Sequence, residues 1–163
     1  MKFVYALADE LKIYENTKAL EVDGNVVITD KGIIKAKNII LATHFPFINV
    51  PGYYFLRMHQ ERSYCIALKN AADVKGMYFD INKDGYSFRN YQDYLILGAY
   101  PIRTGKVNEK IYEKLRLTAK KFYPHAIEKY YWSAQDCMTH DGLPLIGEYA
   151  KSTPNMYVAT GFN

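Results

Sequence analysis

Residues 86–99 read YSFRNYQDYLILGA: two runs rich in aromatic and branched residues, Tyr86 to Tyr91 and Tyr94 to Ala99, parted by a short polar turn at Asp93. Runs of this length and content, bounded by turn residues, read as strands, and two of them so close in sequence pair antiparallel. Working outward, Arg62 to Leu68 and Met77 to Ile81 precede this hairpin and Glu128 to Ala134 follows it, with Gly, Asp and Asn turns between. The middle of the chain is therefore an antiparallel meander. Asn108 to Tyr123 departs from the pattern: Ile111, Leu115, Thr118, Ala119 and Phe122 recur at helical spacing and Pro124 closes the segment, which predicts one helix covering the sheet.

The flanks differ from the middle. Phe3, Val4, Leu7, Ala8 and Leu11 form an apolar stripe, so the chain opens in an amphipathic helix without a visible N-cap. Ala19 to Val22 and Val26 to Thr29 alternate around a turn at Asp23-Gly24-Asn25, and a second turn at Asp30-Lys31-Gly32 leads towards Ile39-Ile40-Leu41-Ala42-Thr43, a wholly apolar run of the kind found in buried parallel strands. Phe45-Pro46 and Val50-Pro51 mark a crossing into the meander. Past it, Asp141-Gly142-Leu143-Pro144 is a turn, and Met156 to Thr160 is a short strand running into Gly161. The predicted class is α+β: an antiparallel sheet of about six strands with one covering helix, plus a three-stranded meander and a residual strand.

The 163 residues carry 21 basic and 17 acidic side chains, a formal charge of +4 spread along the chain without a block of like sign. No phosphate-binding stripe results, and nucleic acid is not expected as a partner. The two cysteines, Cys65 and Cys137, stand apart, and the four histidines never pair at ligand spacing, so no metal site is expected. No apolar run approaches the length of a membrane span and the first residues lack the order of a signal peptide; a cytoplasmic protein is expected. Sixteen tyrosines and eight phenylalanines suit half-buried sheet faces and the wall of a pocket for a planar ligand, and equally suit an aromatic sheet core.

Several chemistries lose their motifs. No two glycines are separated by a single residue, so there is no dinucleotide fingerprint; Gly105-Lys106 lacks the rest of a P-loop; and none of Ser63, Ser87, Ser133 and Ser152 lies in a Gly-x-Ser-x-Gly elbow.

Two segments carry a resemblance. One is Ile39-Ile40-Leu41-Ala42-Thr43-His44. The other runs from Trp132-Ser133-Ala134-Gln135-Asp136 through Asp141-Gly142-Leu143-Pro144-Leu145-Ile146-Gly147 to Ala159-Thr160-Gly161-Phe162-Asn163. In this order, over nearly the whole chain, they resemble the D-amino acid oxidase and glycine oxidase superfamily of FAD-dependent oxidoreductases. The wording of the tail resembles the branch in which a Rieske [2Fe-2S] domain follows, though no residue of such a domain is present. The resemblance implies FAD as cofactor, a small-molecule substrate, and three regions: 1–46 on the FAD-binding side, 47–136 as the antiparallel substrate domain, and 137–163 returning to the FAD-binding side. It further implies that the Gly-rich FAD-binding turn precedes the first helix and that another helix follows Asn163. The chain is thus expected to be an internal piece of a longer flavoprotein, whose missing N-terminal segment is its partner.

Carried over residue by residue, the resemblance places Val22 at the adenine end of FAD, Ala42 and Thr43 near its phosphate–ribose region, Asp141 and Gly142 in a turn beside it, and Gly161, Phe162 and Asn163 at the flavin ring. Core packing explains Val22 and Ala42 equally well. Tyr86, Arg89 and Trp132 fall where the family has its substrate-facing wall, and an arginine there can grip a carboxylate in bidentate fashion, although an isolated arginine on a strand also serves as a solvated face. The family's carboxylate-holding arginine after the Trp-Ser pair is absent: Gln135-Asp136-Cys137 stands there, and Asp136 suits a cationic amine instead. Cys137 resembles the cysteine through which some relatives attach flavin, but it lies nearer the Asp-Gly turn, and an inert buried thiol is expected. The functional expectation is oxidation of an amine, amino acid or related small molecule by hydride transfer to FAD, without an assigned acid or base. The alternative is a non-catalytic binding or assembly module with an aromatic sheet surface.

Overall fold

The computed structural model describes residues 2–82, 85–106 and 110–162. Two helices and eleven strands follow in order: α1 (Lys2–Ala8), β1 (Ala19–Asp23), β2 (Val26–Thr29), β3 (Gly32–Lys35), β4 (Ile39–Leu41), β5 (Met58–Lys69), β6 (Met77–Phe79), β7 (Tyr86–Tyr91), β8 (Tyr94–Arg103), α2 (Ile111–Phe122), β9 (Ile127–Thr139), β10 (Leu145–Glu148) and β11 (Met156–Thr160). The fold is α+β.

The hairpin of residues 86–99 is the centre of a five-stranded antiparallel sheet in the order β6-β7-β8-β5-β9. Both long strands exceed the expected ones. β5 starts at Met58 and β9 runs on to Thr139, so Gln135 and Asp136, polar residues that concealed the strand in the sequence, pair with Arg62 and Glu61. β8 likewise continues past Ala99 to Arg103, whereas β6 stops at Phe79. The sheet therefore has five strands rather than about six. α2 lies across one face and buries Ile111, Leu115 and Ala119 against Ile66, Leu68, Leu95, Leu97 and Ala99. The expected start of this helix at Asn108 lies outside the described residues.

The flanks come together away from α2. β1, β2 and β3 form the expected meander. β4 and β11 run parallel, and β10, a strand that was not expected after the turn at Asp141-Gly142-Leu143-Pro144, joins the outer edge of β11. A second core of Leu41, Tyr54, Met58, Cys137, Tyr149, Met156 and Val158 lies between this sheet and the ends of β5 and β9. Tyr54 donates from its hydroxyl to the Tyr149 carbonyl at 2.9 Å, and the Tyr149 hydroxyl donates to the Ile48 carbonyl, fixing the proline-rich crossing to this core. β9 runs through position 136, so the expected division there falls within a strand.

Candidate functional site

The parallel pairing of β4 with β11 sends Ala42-Thr43 and Gly161-Phe162 off the same edge of one sheet, the carboxyl edge at which α/β sheets hold ligands. The two exits are tied together. Thr160 donates from Oγ1 to the His44 carbonyl, and His44 Nε2 donates to the Gln135 carbonyl at 3.0 Å, which brings β9 alongside. Gly161 has φ +73°, and a Cβ there would stand 2.5 Å from Thr139 Cγ2, so both backbone conformation and space demand glycine. Thr139 is buried, and its Oγ1 makes no hydrogen bond of ordinary geometry among the described residues, although it lies close to the Asp141 side chain. Pro144 Cα and Leu145 N lie 3.8 Å from that same Cβ position, which puts the Asp-Gly-Leu-Pro turn beside Gly161. In the turn, Leu143 N–H donates to Asp141 Oδ1 at 3.1 Å, Gly142 takes φ +75°, and the Leu143 amide holds the Asp141 carboxyl below the usual carboxylate range.

Ala42, Thr43 and Phe162 are exposed at this edge, with the Thr43 hydroxyl donating to the Phe45 carbonyl at 3.1 Å. Val22 is half-buried against the second core, a position that packing alone explains. Asn163 lies outside the described residues.

The second locus is the face of the five-stranded sheet opposite α2. Cross-strand register aligns Ser87, Gly98, Cys65 and Trp132 in one row there. Gly98 leaves the middle of that row empty, since a Cβ would lie 2.6 Å from Ser87 Oγ and 3.2 Å from Cys65 Sγ. Over this floor opens a cleft of about 330 Å³ bounded by Glu61, Ser63, Phe79, Asp136 and Met138. Arg89 and Trp132 line an adjoining hollow that shares Cys65, Phe79 and Ser87 with it. Burial pushes the Cys65 thiol up, Arg89 opposes the shift and Asp136 adds to it.

Of the expected substrate wall, the structure thus brings Arg89, Trp132 and Asp136 to one face. Tyr86 is elsewhere: its ring packs beneath α2, with its hydroxyl 2.7 Å from that of Tyr100 and 3.0 Å from Thr118 Oγ1, and the sheet separates it from the cleft. Cys137 is fully buried in the second core, and burial pushes its thiol up as well. Glu61, Ser63, Ser87, Gly98 and Met138 were not singled out by sequence. Period-two alternation sorts strand residues into two faces, but only the position of α2 says which face is open.

β9 joins the two loci. Asp136 and Met138 line the cleft, the Gln135 carbonyl meets His44, and Thr139 sits under Gly161.

A family model described as FAD dependent oxidoreductase matches residues 1–163. The Bacillus subtilis (strain 168) protein YhfW, named for a Rieske 2Fe-2S iron-sulfur protein, is 33% identical over 178 residues, covering 99% of this chain and 35% of its own length. Among solved structures, L-proline dehydrogenase from P. horikoshii superposes with a TM-score of 0.75 at 19% identity over 98% of this chain and 47% of its own. Glycine oxidase from Geobacillus kaustophilus superposes with a TM-score of 0.72 at 19% identity over 92% of this chain and 44% of its own. The chain therefore spans about a third of the curated relative and under half of these two structural neighbours.

Proposed function

Because the chain belongs to the FAD-dependent oxidoreductase family, whose cofactor is FAD, we propose that it supplies the substrate cleft and part of the flavin-ring contact of an enzyme that oxidises an amine, amino acid or related small molecule. The observation that carries this reading is the junction at β9: a strand whose Asp136 and Met138 line a cleft ends at Thr139, directly beneath the left-handed Gly161 at the carboxyl edge of β4 and β11. The residues there fit the cofactor. A glycine that cannot carry a side chain and the exposed strand ends at Thr43 and Phe162 suit a planar, polar ring system. FAD, when bound, supplies acceptance of a hydride. Gly161 and Phe162 would hold that cofactor, while Ser87, Gly98 and Cys65 would form the floor on which substrate is positioned and Phe79, Met138 and Trp132 would wall off water.

On this reading residues 1–46 and 137–163 belong to the cofactor side and 47–136 to the substrate side of a longer protein. The name of the B. subtilis relative adds an iron–sulfur domain to the proposed parent. The test is purification of the full-length protein followed by anaerobic mixing with small amines and amino acids. The expected result is a yellow protein whose flavin absorbance bleaches with at least one of them; a colourless protein, or one that none of them bleaches, contradicts the proposal.

A further inference from the structure

The cleft has a charge character that neither its family nor its relatives specify. Glu61 and Asp136 face each other across β5 and β9 in direct register, and both line the cleft. Like charges directly opposite in a sheet repel. Glu61 is relieved on one side by His59, whose Nε2 lies 3.2 Å from Oε1. The Asp136 carboxylate makes neither a hydrogen bond nor an ion pair among the described residues, and the groups it acts on are the thiols of Cys65 and Cys137.

The nearby arginines lie outside the lining of the cleft, Arg89 close enough to act on the Cys65 thiol of its floor. Arg62 turns to the α2 face and donates to Ser133 Oγ at 2.9 Å. Arg103 is opposite Glu61 in register but forms no ion pair with it among the described residues, and lines a different hollow with Arg62. Arg89 sits in the adjoining hollow beyond the row of Ser87 and Cys65. Among the described residues the cleft is lined by two carboxylates and no cation. Its remaining surface is a floor of small residues, made by Gly98 between Ser87 and Cys65, under the apolar side chains of Phe79 and Met138.

From this we infer that the cleft takes its ligand as a protonated primary or secondary amine, held between Asp136 and Glu61 with its carbon skeleton against Phe79 and Met138, and that it rejects a free carboxylate at the same position. This rests on the reading of the cleft as the substrate site. Glu61 is the new member of the site, and Asp136 is its unpaired partner.

The experiment uses the full-length protein and isothermal calorimetry with three probes of nearly equal shape: benzylamine, benzyl alcohol and benzoate. Benzylamine is expected to bind at least about tenfold more tightly than the other two, which is roughly 1.4 kcal/mol. Asp136→Asn and Glu61→Gln are each expected to reduce that preference by about tenfold, whereas Asp136→Glu, which keeps the charge, retains it. Circular dichroism and thermal melting establish that each variant is folded. Benzoate binding as well as benzylamine, a preference unchanged in both neutral variants, or no saturable benzylamine binding overturns the inference. Calorimetry separates this from the flavin reading: a colourless protein that still prefers benzylamine sinks only the flavin, and a yellow protein that prefers benzoate sinks only the cation site.

Discussion

The five-stranded sheet and the sheet of β10, β11 and β4 each bury one face in a core, but the other face of the first carries polar side chains such as Glu61, Ser87 and Asp136, whereas that of the second carries isoleucines. Ile66, Leu97 and Leu115 are 0% exposed where α2 closes the larger sheet, whereas Ile40 and Ile146 of the smaller one are 67% and 69% exposed. α1, amphipathic as its sequence demands, buries none of its residues. The run Ile39-Ile40-Leu41 reads as a strand covered on both faces, yet only Ile39 and Leu41 are covered. A strand pair of the parallel kind is normally covered on both faces. The larger sheet is closed by its own helix on the apolar face, while the smaller sheet has an apolar face that no element of the described residues covers.

The largest effect is expected where burial is complete. Leu97→Ala or Leu115→Ala should cost about 2–5 kcal/mol, because each removes buried methyl groups and leaves a cavity under α2. Ile40→Ala in the 163-residue chain should stay within about 0.5 kcal/mol, as befits an exposed position. Urea unfolding of both variants, in this chain and in the full-length protein, decides the comparison. A cost near that of Leu97→Ala for Ile40→Ala in the full-length protein alone would mean that its face is covered there; equal costs in the isolated chain would break the contrast altogether.

Gly161, just past the end of β11, tests the contrast at the smaller sheet. Gly161→Val forces a β-branched residue to φ +73° and a Cβ to 2.5 Å from Thr139 Cγ2, a backbone strain of about 1–3 kcal/mol before the clash is counted. In the full-length protein it should abolish flavin retention. Gly76→Val, in a turn of the larger sheet with no positive φ and only the exposed Tyr78 ring nearby, should retain flavin. Equal flavin content in the two purified variants would remove Gly161 from the cofactor site. The isolated chain is itself expected to bind FAD weakly or not at all, since no residue of its sequence supplies a Gly-rich pyrophosphate turn; stoichiometric binding in a fluorescence titration would contradict that.

The same contrast explains what the sequence made legible. Residues 86–99 declared the antiparallel sheet because the alternation and the turn agree locally, and α2 followed from its apolar spacing. The ends of β5 and β9 were not legible, because Glu61, Gln135 and Asp136 are polar and are held in strands only by long-range pairing with each other's neighbours. Tyr86 illustrates the limit on the site. Three residues apart in one strand, it and Arg89 point to opposite faces, but which face α2 covers is a tertiary fact, and it covers the face of Tyr86.

A smaller effect tests the openness of the sheet face. Burial raises the Cys65 thiol above its ordinary value, so less thiolate is present at neutral pH than in a free cysteine. Alkylation by iodoacetamide, followed by mass spectrometry, should be slow at pH 7 and accelerate as pH rises through and beyond the ordinary thiol range. Cys137, fully buried in the second core, should remain unmodified while the protein is folded. Faster labelling of Cys137 than of Cys65 would mean that the second core opens more readily than the sheet face.

The smallest effect concerns the turn that delivers β10 to the edge of β11. Asp141 Oδ1 accepts the Leu143 N–H, and this bond favours the ionised carboxyl, so the folded value is depressed relative to the unfolded chain. A depressed carboxyl contributes stability that is present above its unfolded value and is lost as pH falls through the folded one. Asp141→Ala should therefore lower the urea midpoint slightly at pH 7, by less than Leu97→Ala does, and the difference from the unsubstituted chain should vanish in acid. Asp141→Asn keeps an acceptor oxygen and does not titrate, so it should hold the turn with no such pH dependence. If Asp141→Ala and the unsubstituted chain differ by the same amount at acid and neutral pH, the side chain is not acting through its charge, and the turn is held by Gly142 and Pro144 alone.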